Sequence, residues 1–347
     1  MRILLIGGTS FMGPAVAREL LAGGHAIAVY HRGKTEGAVP EGVTHIHGER
    51  EALTQARPAL AEFAPDVVIN MILMDEAQAQ AFTQAITQVF AGLARRAVVI
   101  SSQDVYAAFG RVNGIESGPP EPLPLTEDAP LRTRLYPYRE DTPRAEDDPM
   151  RWADTYDKIL VERVVMSEPA LPCCVLRLPA VYGPLDRQRR FHSVLKRMDD
   201  GREVIAIDAA EADWRWTFAY VDDVAHAIAL AALDPRSAGR IYNVGEERVL
   251  SQEERARAVG AAAGWHGRIV RVPAGRLPEA MRMGVDTRQD VIADTSRIRA
   301  ELGYREVTPL AETYARTVAW ERANPVAQDD PAAFDYAAED VALAEQG

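Results

Sequence analysis

The sequence predicts an α/β fold, a Rossmann-type doubly wound parallel sheet with a smaller α/β lobe beside it. A glycine-rich turn joins the first apolar run to a helix-like segment, and strand-like and helix-like segments alternate through the first half of the chain. This alternation is typical of parallel strands covered by crossover helices. The predicted strands span residues 3–6, 26–30, 43–47, 67–71, 97–101 and 173–178, and helical spacing marks residues 14–21 and 77–93.

The turn after the first predicted strand indicates where a dinucleotide binds. Gly7 can take the unusual dihedrals of a tight turn, and Gly13 permits close packing of the helix that follows. The N-terminus of that helix attracts a pyrophosphate anion. The middle position of the glycine triplet is Ser10, so the match to the general fingerprint is partial. The predicted cofactor-binding residues of this turn are Gly7, Thr9, Ser10, Phe11, Met12 and Gly13.

Composition narrows the class of protein. The 347 residues are 47% hydrophobic, enough for one large core or two coupled lobes. A net charge of −12 gives no general attraction to nucleic acid or an anionic membrane, and the first apolar run is too short for a membrane span or a signal peptide. We therefore expect a cytoplasmic protein with a small-molecule substrate. The adjacent Cys173 and Cys174 are expected to be buried core thiols.

The pattern of the second half of the chain predicts a smaller lobe built from stretches that are not contiguous in the sequence. A helix at 225–233 and a strand at 241–244 return to the first lobe, whereas residues 110–149 lose all periodicity and accumulate proline, acid and arginine. This insertion is either a lid or a plain surface loop. The assignment is residues 1–180 and 219–250 to a dinucleotide-binding domain, 181–218 and 251–323 to a substrate lobe, and 324–347 to a C-terminal tail or loosely attached helix.

Several motifs share their order and spacing with one protein superfamily. They are Gly7 to Gly13, Asp66 to Asn70, Ser101 to Tyr106, Lys158 with Val161 and Glu162, Arg177 to Pro184, Tyr220 to Ala225, and Tyr242 to Gly245. Together they resemble the extended short-chain dehydrogenase/reductase superfamily, in its NAD-dependent epimerase/dehydratase-like branch. The likeness covers most of the chain and implies a nicotinamide cofactor, hydride transfer and a homodimer.

The end of the second predicted strand bears on the choice of cofactor, because the adenosine ribose lies beside this edge. The segment Tyr30 to Lys34 contains no acidic residue. A carboxylate would bind the free 2′-hydroxyl of NAD, whereas Arg32, together with Lys34, can pair with a 2′-phosphate. We therefore expect NADP(H), with NAD(H) as the alternative if Arg32 only stacks on adenine or lies in solvent. The resemblance adds Glu49, Asn70 and Met71 beside the adenosine and Lys158 at the nicotinamide ribose.

The resemblance implies a Tyr-x-x-x-Lys pair on one helix and a Ser or Thr at the end of the preceding strand. The tyrosine exchanges a proton, the lysine lowers the tyrosine pKa and holds the ribose, and the hydroxyl orients the reacting oxygen. This chain supplies Ser102 and Lys158, but Asp154 stands where the tyrosine is expected. Tyr156 lies two residues before Lys158, about 200° away on a regular helix. A regular helix would therefore point Tyr156 away from the site.

Three alternatives follow from this displaced tyrosine. The helix starts late or is distorted so that Tyr156 reaches the site, Asp154 replaces the tyrosine as acid and base, or proton transfer has been lost from this helix. Asp154 also suits a purely structural role as a helix cap, and Tyr156 suits packing. The candidate catalytic residues are Ser102, Tyr156, Lys158 and Asp154.

The substrate side departs from the nucleotide-sugar pattern of the superfamily. Ala180 stands where an asparagine is expected, and Trp216 stands where an arginine engages a diphosphate, with Arg215 beside it. Trp214 and Trp216 suit either ring stacking or core packing. The candidate substrate-binding residues are Tyr182, Arg215 and Trp216, and these departures favour a sugar-like or polyhydroxylated substrate that is not a nucleotide sugar.

No metal site is expected. His45 and His47 alternate on one strand face without a convincing third ligand. Asp222 and Asp223 precede an apolar helix and are expected to cap it.

Two functional hypotheses remain. The first is an NAD(P)-dependent epimerase, dehydratase or reductase that acts by hydride transfer. The second is a catalytically decayed nucleotide-binding protein with a regulatory or RNA-binding role, because Gly7 to Phe11 and His31 to Lys34 also look similar to chloroplast stem-loop-binding relatives of the superfamily. The acidic charge opposes nucleic-acid binding, so the enzyme is favoured.

Overall fold

The computed structural model describes residues 1–35 and 37–344. Its strands are β1 (Arg2–Ile6), β2 (Ala26–His31), β3 (Thr44–His47), β4 (Val67–Asn70), β5 (Arg96–Ser102), β6 (Cys173–Leu178), β7 (Ala180–Tyr182), β8 (Val204–Asp208), β9 (Phe218–Tyr220), β10 (Ile241–Asn243) and β11 (Arg268–Val272). Within the described chain, one parallel sheet has seven strands in the order β3, β2, β1, β4, β5, β6, β10. The order reverses between β1 and β4, so the prediction of a doubly wound sheet is confirmed.

Helices cover both faces of this sheet. The helices of the chain, including those of the smaller lobe, are α1 (Met12–Ala22), α2 (Arg57–Phe63), α3 (Glu76–Ala85), α4 (Ala107–Val112), α5 (Lys158–Met166), α6 (His192–Asp199), α7 (Ala209–Ala212), α8 (Val221–Leu233), α9 (Gln252–Ala263), α10 (Ser296–Leu302), α11 (Leu310–Ala323) and α12 (Tyr336–Ala344). Helices α1 and α8 share one core with Ile3 and Leu5, whereas α2, α3 and α5 share the other with Leu4 and Ile6. Because successive strand residues face opposite cores, the central strands β1, β4, β5 and β6 are apolar along most of their length.

The two cysteines follow this alternation on β6. Cys174 packs in the core of α1 and α8, and Cys173 packs in the opposite core. Both are free and buried, which confirms the expectation of core thiols. Burial raises the pKa of Cys173 to about 12, so its thiol stays protonated at neutral pH.

The smaller lobe is built on two short parallel sheets. Strand β8 pairs with β11, and β7 pairs with β9. Helices α6, α9 and α11 pack beside one another in this lobe. Strand β10 rejoins the large sheet beside β6, as expected of the strand at 241–244, and the division of the chain into domains stays a prediction.

The insertion after α4 is irregular, as its composition predicts. From 113 to 150 its described residues contain isolated bridges and bends but no regular helix or strand. Its middle is nevertheless anchored, because the Leu125 amide donates to the Ile292 carbonyl at 2.7 Å and Arg132 is buried. The segment then passes over the carboxyl ends of the large sheet. This path brings Tyr138 to the candidate site.

The C-terminal segment contains a docked helix. Helix α12 packs on β8 and β11, and the Glu339 side chain on it is fully buried. Throughout the described parts of the chain, no helix is both long and apolar enough to cross a membrane.

Candidate active site

The turn between β1 and α1 has the geometry expected of a pyrophosphate cradle. Gly7 adopts a φ of +85°, and a Cβ at this position would collide with the Ile72 side chain. A Cβ at Gly13 would collide with the main chain of Gly8, so α1 approaches the turn more closely than any larger residue allows. No acidic side chain lies in the first turn of α1. The amide dipoles there are therefore free of a competing carboxylate.

The other predicted cofactor residues lie around the same sheet edge. Ser10 is exposed, Met12 is half-buried, and the Thr9 hydroxyl lies 2.8 Å from that of Thr35. Phe11 precedes α1 with a φ of +46°, a conformation that residues other than glycine rarely adopt. The side chains of Phe11 and Met12 pack against the core beside this turn.

The residues expected beside the adenosine lie at or after the ends of β2, β3 and β4. Arg32 follows β2 and is exposed, and Met71 follows β4. Asn70 is buried and its side-chain oxygen accepts the Ile72 amide at 3.2 Å. The main-chain carbonyl of Glu49 accepts the Tyr30 hydroxyl at 2.7 Å. The fold thus brings Arg32, Glu49, Asn70 and Met71 to one edge beside the glycine-rich turn.

Helix α5 begins later than a regular Tyr-x-x-x-Lys helix would. Asp157 is its N-cap and accepts the amides of Ile159 at 2.8 Å and Leu160 at 3.4 Å, so Lys158 is the first helical residue. Tyr156 precedes the helix, and the 200° offset of a regular helix does not apply to it. The structure therefore has the geometry of the first alternative, the late helix start.

Tyr156 faces the end of β5. Its hydroxyl donates to Oδ2 of Asp104 at 2.6 Å, and the Ser102 side chain lies close to it. Ser102 Oγ in turn accepts the Asp104 amide at 3.1 Å, which fixes the short turn after β5. Ser102 and Tyr156 are thus adjacent, as a proton-transfer pair requires.

Lys158 lies beneath this pair. Its ammonium donates to the Ile100 carbonyl at 3.1 Å and to the Leu73 carbonyl, and lies 5.9 Å from the centre of the Tyr156 ring. Burial lowers the pKa of Lys158 to about 8, against the opposing pull of Asp104 and Glu162. The lysine is placed between the sheet and the tyrosine, where the resemblance implies a ribose-binding group.

Asp154 lies apart from this cluster. It ends a single 3-10 turn, Arg151–Asp154, and its carboxylate accepts the Arg144 guanidinium at 2.5 Å and the Arg144 amide at 2.9 Å. These bonds lower the pKa of Asp154, with the amide bond as the largest cause. The cap of α5 that suited Asp154 is made by Asp157, so Asp154 anchors the insertion instead.

The sequence analysis did not single out two residues of this site, Asp104 and Tyr138. The Asp104 carboxylate, only 5% exposed, accepts the Tyr138 hydroxyl at 3.2 Å in addition to that of Tyr156. Burial raises the pKa of Asp104, although bonds from Tyr156 and the charges of Arg132 and Lys158 oppose the shift. The available signal for Asp104 was an acidic residue just after a strand, within the Ser101 to Tyr106 motif. No sequence pattern indicated Tyr138, because it lies in a segment without periodicity.

The predicted substrate residues divide into two groups. Tyr182 is fully buried in the smaller lobe, where its hydroxyl donates to Glu246 at 2.8 Å. Arg215 donates to the Val249 carbonyl at 2.9 Å. These bonds hold Tyr182 and Arg215 within the smaller lobe, and the structure does not join them to the Tyr156 cluster.

Trp216 lies between the lobes. Its ring centre is 6.5 Å from that of Phe109 on α4 and 5.6 Å from that of Phe218 on β9. The Arg190 guanidinium lies 5.4 Å from the centre of the Trp216 ring, and its charge also acts on Tyr138. Trp216 and Arg190 are thus the smaller-lobe side chains nearest this cluster that the contacts identify.

Two residue pairs from the sequence analysis, His45 with His47 and Asp222 with Asp223, have structural roles. His45 Nδ1 lies 2.9 Å from Nε2 of His31, and in residues 1–35 and 37–344 no cluster of His, Cys, Asp and Glu suits a metal ion. Asp222 and Asp223 lie within the first turn of α8 rather than at its cap. Asp223 accepts the Val307 amide at 2.7 Å, so it fastens the loop before α11. The expectation of a cap at Asp223 is wrong because this tertiary contact takes the carboxylate.

Taken together, the fold and this cluster define a nucleotide-binding α/β enzyme with a tyrosine, a serine and a lysine at the carboxyl end of its sheet. The model of the NAD dependent epimerase/dehydratase family matches residues 3–245, and the chain belongs to this family. The resemblance to extended short-chain dehydrogenases/reductases is therefore confirmed, as is the prediction of an NAD(P)-dependent oxidoreductase or epimerase.

Known relatives cover most of the chain. It is 28% identical over 304 residues to 2′-dehydrokanamycin reductase of Streptomyces kanamyceticus, covering 86% of this chain and 75% of that protein. Among solved structures, the Bordetella bronchiseptica enzyme WbmH in complex with NAD+ has a TM-score of 0.65 at 18% identity, covering 93% of this chain and 99% of that one. The UDP-glucose 4-epimerase of Thermotoga maritima with UDP-glucose has the same TM-score and coverage at 19% identity.

Proposed function

We propose that the protein is an NAD(P)-dependent oxidoreductase that reduces a keto group on a sugar-like substrate, or oxidises the corresponding alcohol. The observation that supports this most directly is the position of the Tyr156 hydroxyl, which reaches Ser102 and Asp104 although its spacing to Lys158 is irregular. A late helix start restores the proton-transfer geometry that the sequence pattern lacks. The site therefore has the residues for acid and base chemistry at a carbinol oxygen.

The cofactor residues fit a dinucleotide. Gly7 and Gly13 leave room that any Cβ would fill, and the α1 N-terminus offers amides to the pyrophosphate. Lys158 would hold the nicotinamide ribose, and Arg32 would pair with the adenosine end. The bound nicotinamide supplies or takes up the hydride. We propose NADP(H), because the residue that follows β2 is an exposed arginine rather than a carboxylate.

The chain's own residues handle the substrate oxygen. Ser102 and Tyr156 would both hydrogen-bond to it, which holds the reacting carbon in one orientation. Tyr156 gives its proton to this oxygen during reduction and takes one from it during oxidation. Burial of Lys158 under the tyrosine places a positive charge near the oxygen as negative charge develops.

The substrate class is supported by what the smaller lobe contains. Trp216 and the buried Ala180 replace polar groups of the nucleotide-sugar pattern, so a sugar-like substrate without a nucleotide fits best. A relative named as the reductase of 2′-dehydrokanamycin supports ketone reduction as the reaction. The homodimer and the cytoplasmic location remain predictions from the resemblance and the composition.

Calorimetric titration of the stripped protein with NAD+, NADH, NADP+ and NADPH tests the first half of this proposal. The second half is tested by NADPH consumption with dihydroxyacetone, the smallest keto sugar, and with keto sugars that carry or lack a nucleotide. Tight NADPH binding and turnover of a nucleotide-free ketone are expected. Binding of none of the four nucleotides would overturn the proposal and favour the decayed, RNA-binding alternative, which a salt-dependent RNA titration would then test.

A further inference from the structure

Two tyrosines share one buried carboxylate in the site. The hydroxyls of Tyr156 and Tyr138 both donate to Oδ2 of Asp104, at 2.6 and 3.2 Å, and the two rings are 5.2 Å apart. Oδ1 of the same carboxylate is buried and has no hydrogen-bond partner among the described residues. Tyr156 is buried and Tyr138 is half-buried, so the three groups form a continuous path from the inside of the site outward.

Few other ionisable groups act on this path. Arg132 is buried beside Asp104 and donates to its main-chain carbonyl. Lys158 acts on Asp104, Ser102 acts on Tyr156, and the charges of Arg132 and Arg190 act on Tyr138. The Arg144 guanidinium donates to the Tyr138 carbonyl at 3.1 Å. The two buried cations beside Asp104, Arg132 and Lys158, offset the cost of burying its carboxylate.

The surroundings make tyrosinate an unfavourable state. Burial and the neighbouring Asp104 raise the pKa of Tyr156 well above its ordinary value of 10. Tyr156 alone therefore cannot remain deprotonated at neutral pH after it gives its proton to the substrate. The neighbour that can resupply this proton is the Asp104 carboxyl, because it is hydrogen-bonded to the Tyr156 hydroxyl and burial raises its pKa.

We propose, resting on the function proposed above, that Asp104 is the proton reservoir of the reaction and exchanges its proton with the substrate through the Tyr156 hydroxyl. Tyr138 carries the proton between Asp104 and solvent. Asp104 is thus a positioning and relay residue that acts through Tyr156, which itself meets the substrate oxygen.

The steps balance for reduction. The ketone carbon gains the hydride from reduced nicotinamide, and the Tyr156 O–H bond breaks as its proton forms the alcohol O–H bond. The Asp104 carboxylic acid reprotonates the Tyr156 oxygen. The Tyr138 hydroxyl then gives its proton to the carboxylate as it takes one from water, so that no tyrosinate forms and hydroxide is left in the solvent. The nucleotide is oxidised by two electrons, the ketone is reduced to an alcohol, and one proton is taken from water. Oxidation follows the same steps in reverse.

A tyrosine titration of the full chain without substrate tests the coupling. Ultraviolet absorbance of tyrosinate is followed for wild type, Asp104→Asn and Tyr136→Phe. The control alters a neighbouring tyrosine that stacks on Arg139 at 3.6 Å, away from Asp104. We expect Asp104→Asn to let one tyrosine ionise at lower pH, because it removes the negative charge. A titration curve that superimposes on wild type would overturn the proposal.

Turnover of dihydroxyacetone with NADPH tests the relay itself. Asp104→Asn should lower kcat about 100-fold and remove the loss of kcat that wild type shows as pH rises through the Asp104 pKa. Asp104→Glu should restore part of the rate because it retains a carboxyl group, and Tyr138→Phe should cause a smaller loss. Tyr136→Phe should match wild type.

The outcomes separate the relay from the function on which it rests. An active wild type whose Asp104→Asn variant keeps the same kcat and pH profile would overturn the relay and leave the proposed function intact. Equal losses in Asp104→Asn and Asp104→Glu with an unchanged pH profile would show a purely structural role and also overturn it. A wild type that neither binds nucleotide nor consumes NADPH would overturn both.

Discussion

At the scale of single residues, the displaced Tyr156 is the feature with the sharpest consequence. We expect Tyr156→Phe to lower kcat by about 10²- to 10⁴-fold, the range of general acid–base catalysis, because no other hydroxyl in the cluster occupies its position. Nucleotide affinity should stay unchanged, since the ring remains. Stopped-flow turnover and calorimetry measure the two quantities on the same protein.

Asp154→Asn is the matched comparison for that substitution. The side-chain amide oxygen of this variant can still accept the Arg144 main-chain amide, so turnover should stay close to wild type. If instead Asp154→Asn abolished turnover and Tyr156→Phe did not, the carboxylate would be the proton donor and the assignment of Tyr156 would be wrong.

Arg32 decides the cofactor in our proposal. Arg32→Ala should weaken NADPH binding by about 10-fold or more, because a charge-assisted pair with the 2′-phosphate contributes roughly 1.5–3 kcal/mol. NADH binding should change little. Arg57→Ala, which removes an exposed arginine at the start of α2, serves as the charge-matched control. Equal losses for the two nucleotides with Arg32→Ala would contradict a phosphate-reading role.

At the scale of elements, α11 contains a carboxyl group that couples stability to pH. Glu321 is 5% exposed, its Oε1 accepts the Phe191 amide at 3.4 Å, and its Oε2 has no partner among the described residues. Burial raises the pKa of Glu321 from 4.5 to about 7. Since the folded-state pKa lies above the unfolded value, the native protein binds more protons between these two pH values. The contribution of Glu321 to the unfolding free energy therefore falls as pH rises through this window.

Glu321→Gln should remove this contribution. The amide oxygen can still accept from Phe191, so we expect the variant to exceed wild type in stability above about pH 7, by on the order of 3 kcal/mol, and to converge with it near about pH 4.5. Urea unfolding at both ends of the window measures the difference. Glu312→Gln, on the exposed face of the same helix, should follow wild type throughout. A parallel pH dependence in Glu321→Gln would show that Glu321 is not the group responsible.

At the scale of the whole molecule, α12 ties the C-terminus to the smaller lobe. The Glu339 carboxylate is fully buried, accepts the Ala206 amide of β8 at 2.9 Å, and lies 3.5 Å from Arg197 and 3.7 Å from Arg202. Glu339→Gln leaves two guanidinium groups without their buried counter-charge. We expect a loss of about 3 kcal/mol in the unfolding free energy, measured by urea denaturation.

The adjacent residue gives the control. Asp340 pairs with Arg202 from a side chain that is 59% exposed, and Asp340→Asn should change the unfolding free energy by less than about 0.5 kcal/mol. Similar losses in both variants would show that helix α12 is held by surface charge rather than by the buried carboxylate.

The large sheet was predictable because its central strands are buried on both faces. A continuous apolar run such as Ile3 to Ile6 is stable only when it is buried on both faces of a sheet. Gly7 and Gly13 mark the turn because they lack a side chain. The predicted strands agree with β1 to β6 and β10 to within one residue at nearly every boundary. Local sequence therefore determined the sheet and the family to which the chain belongs.

The candidate site was predictable only in part. Ser102 and Lys158 follow from the resemblance to the superfamily, and the structure places them at the end of β5 and the start of α5. Asp104 and Tyr138 do not, because their role depends on a contact between segments 34 residues apart that no periodicity records. The roles of Asp154 and Tyr156 depend on where a helix begins, and Asp157 decides that through its capping bonds.

The sequence by itself determined the doubly wound sheet, the dinucleotide turn and the superfamily, since apolar pattern and glycine positions act over a few neighbouring residues. Only the tertiary structure decided that Tyr156 lies beside Ser102 and that Asp104 accepts hydrogen bonds from two tyrosine hydroxyls. It also decided that Asp154 binds Arg144. The physical reason is that hydrogen bonds between buried polar groups depend on the packed positions of distant segments, and such bonds must be satisfied wherever the chain places them.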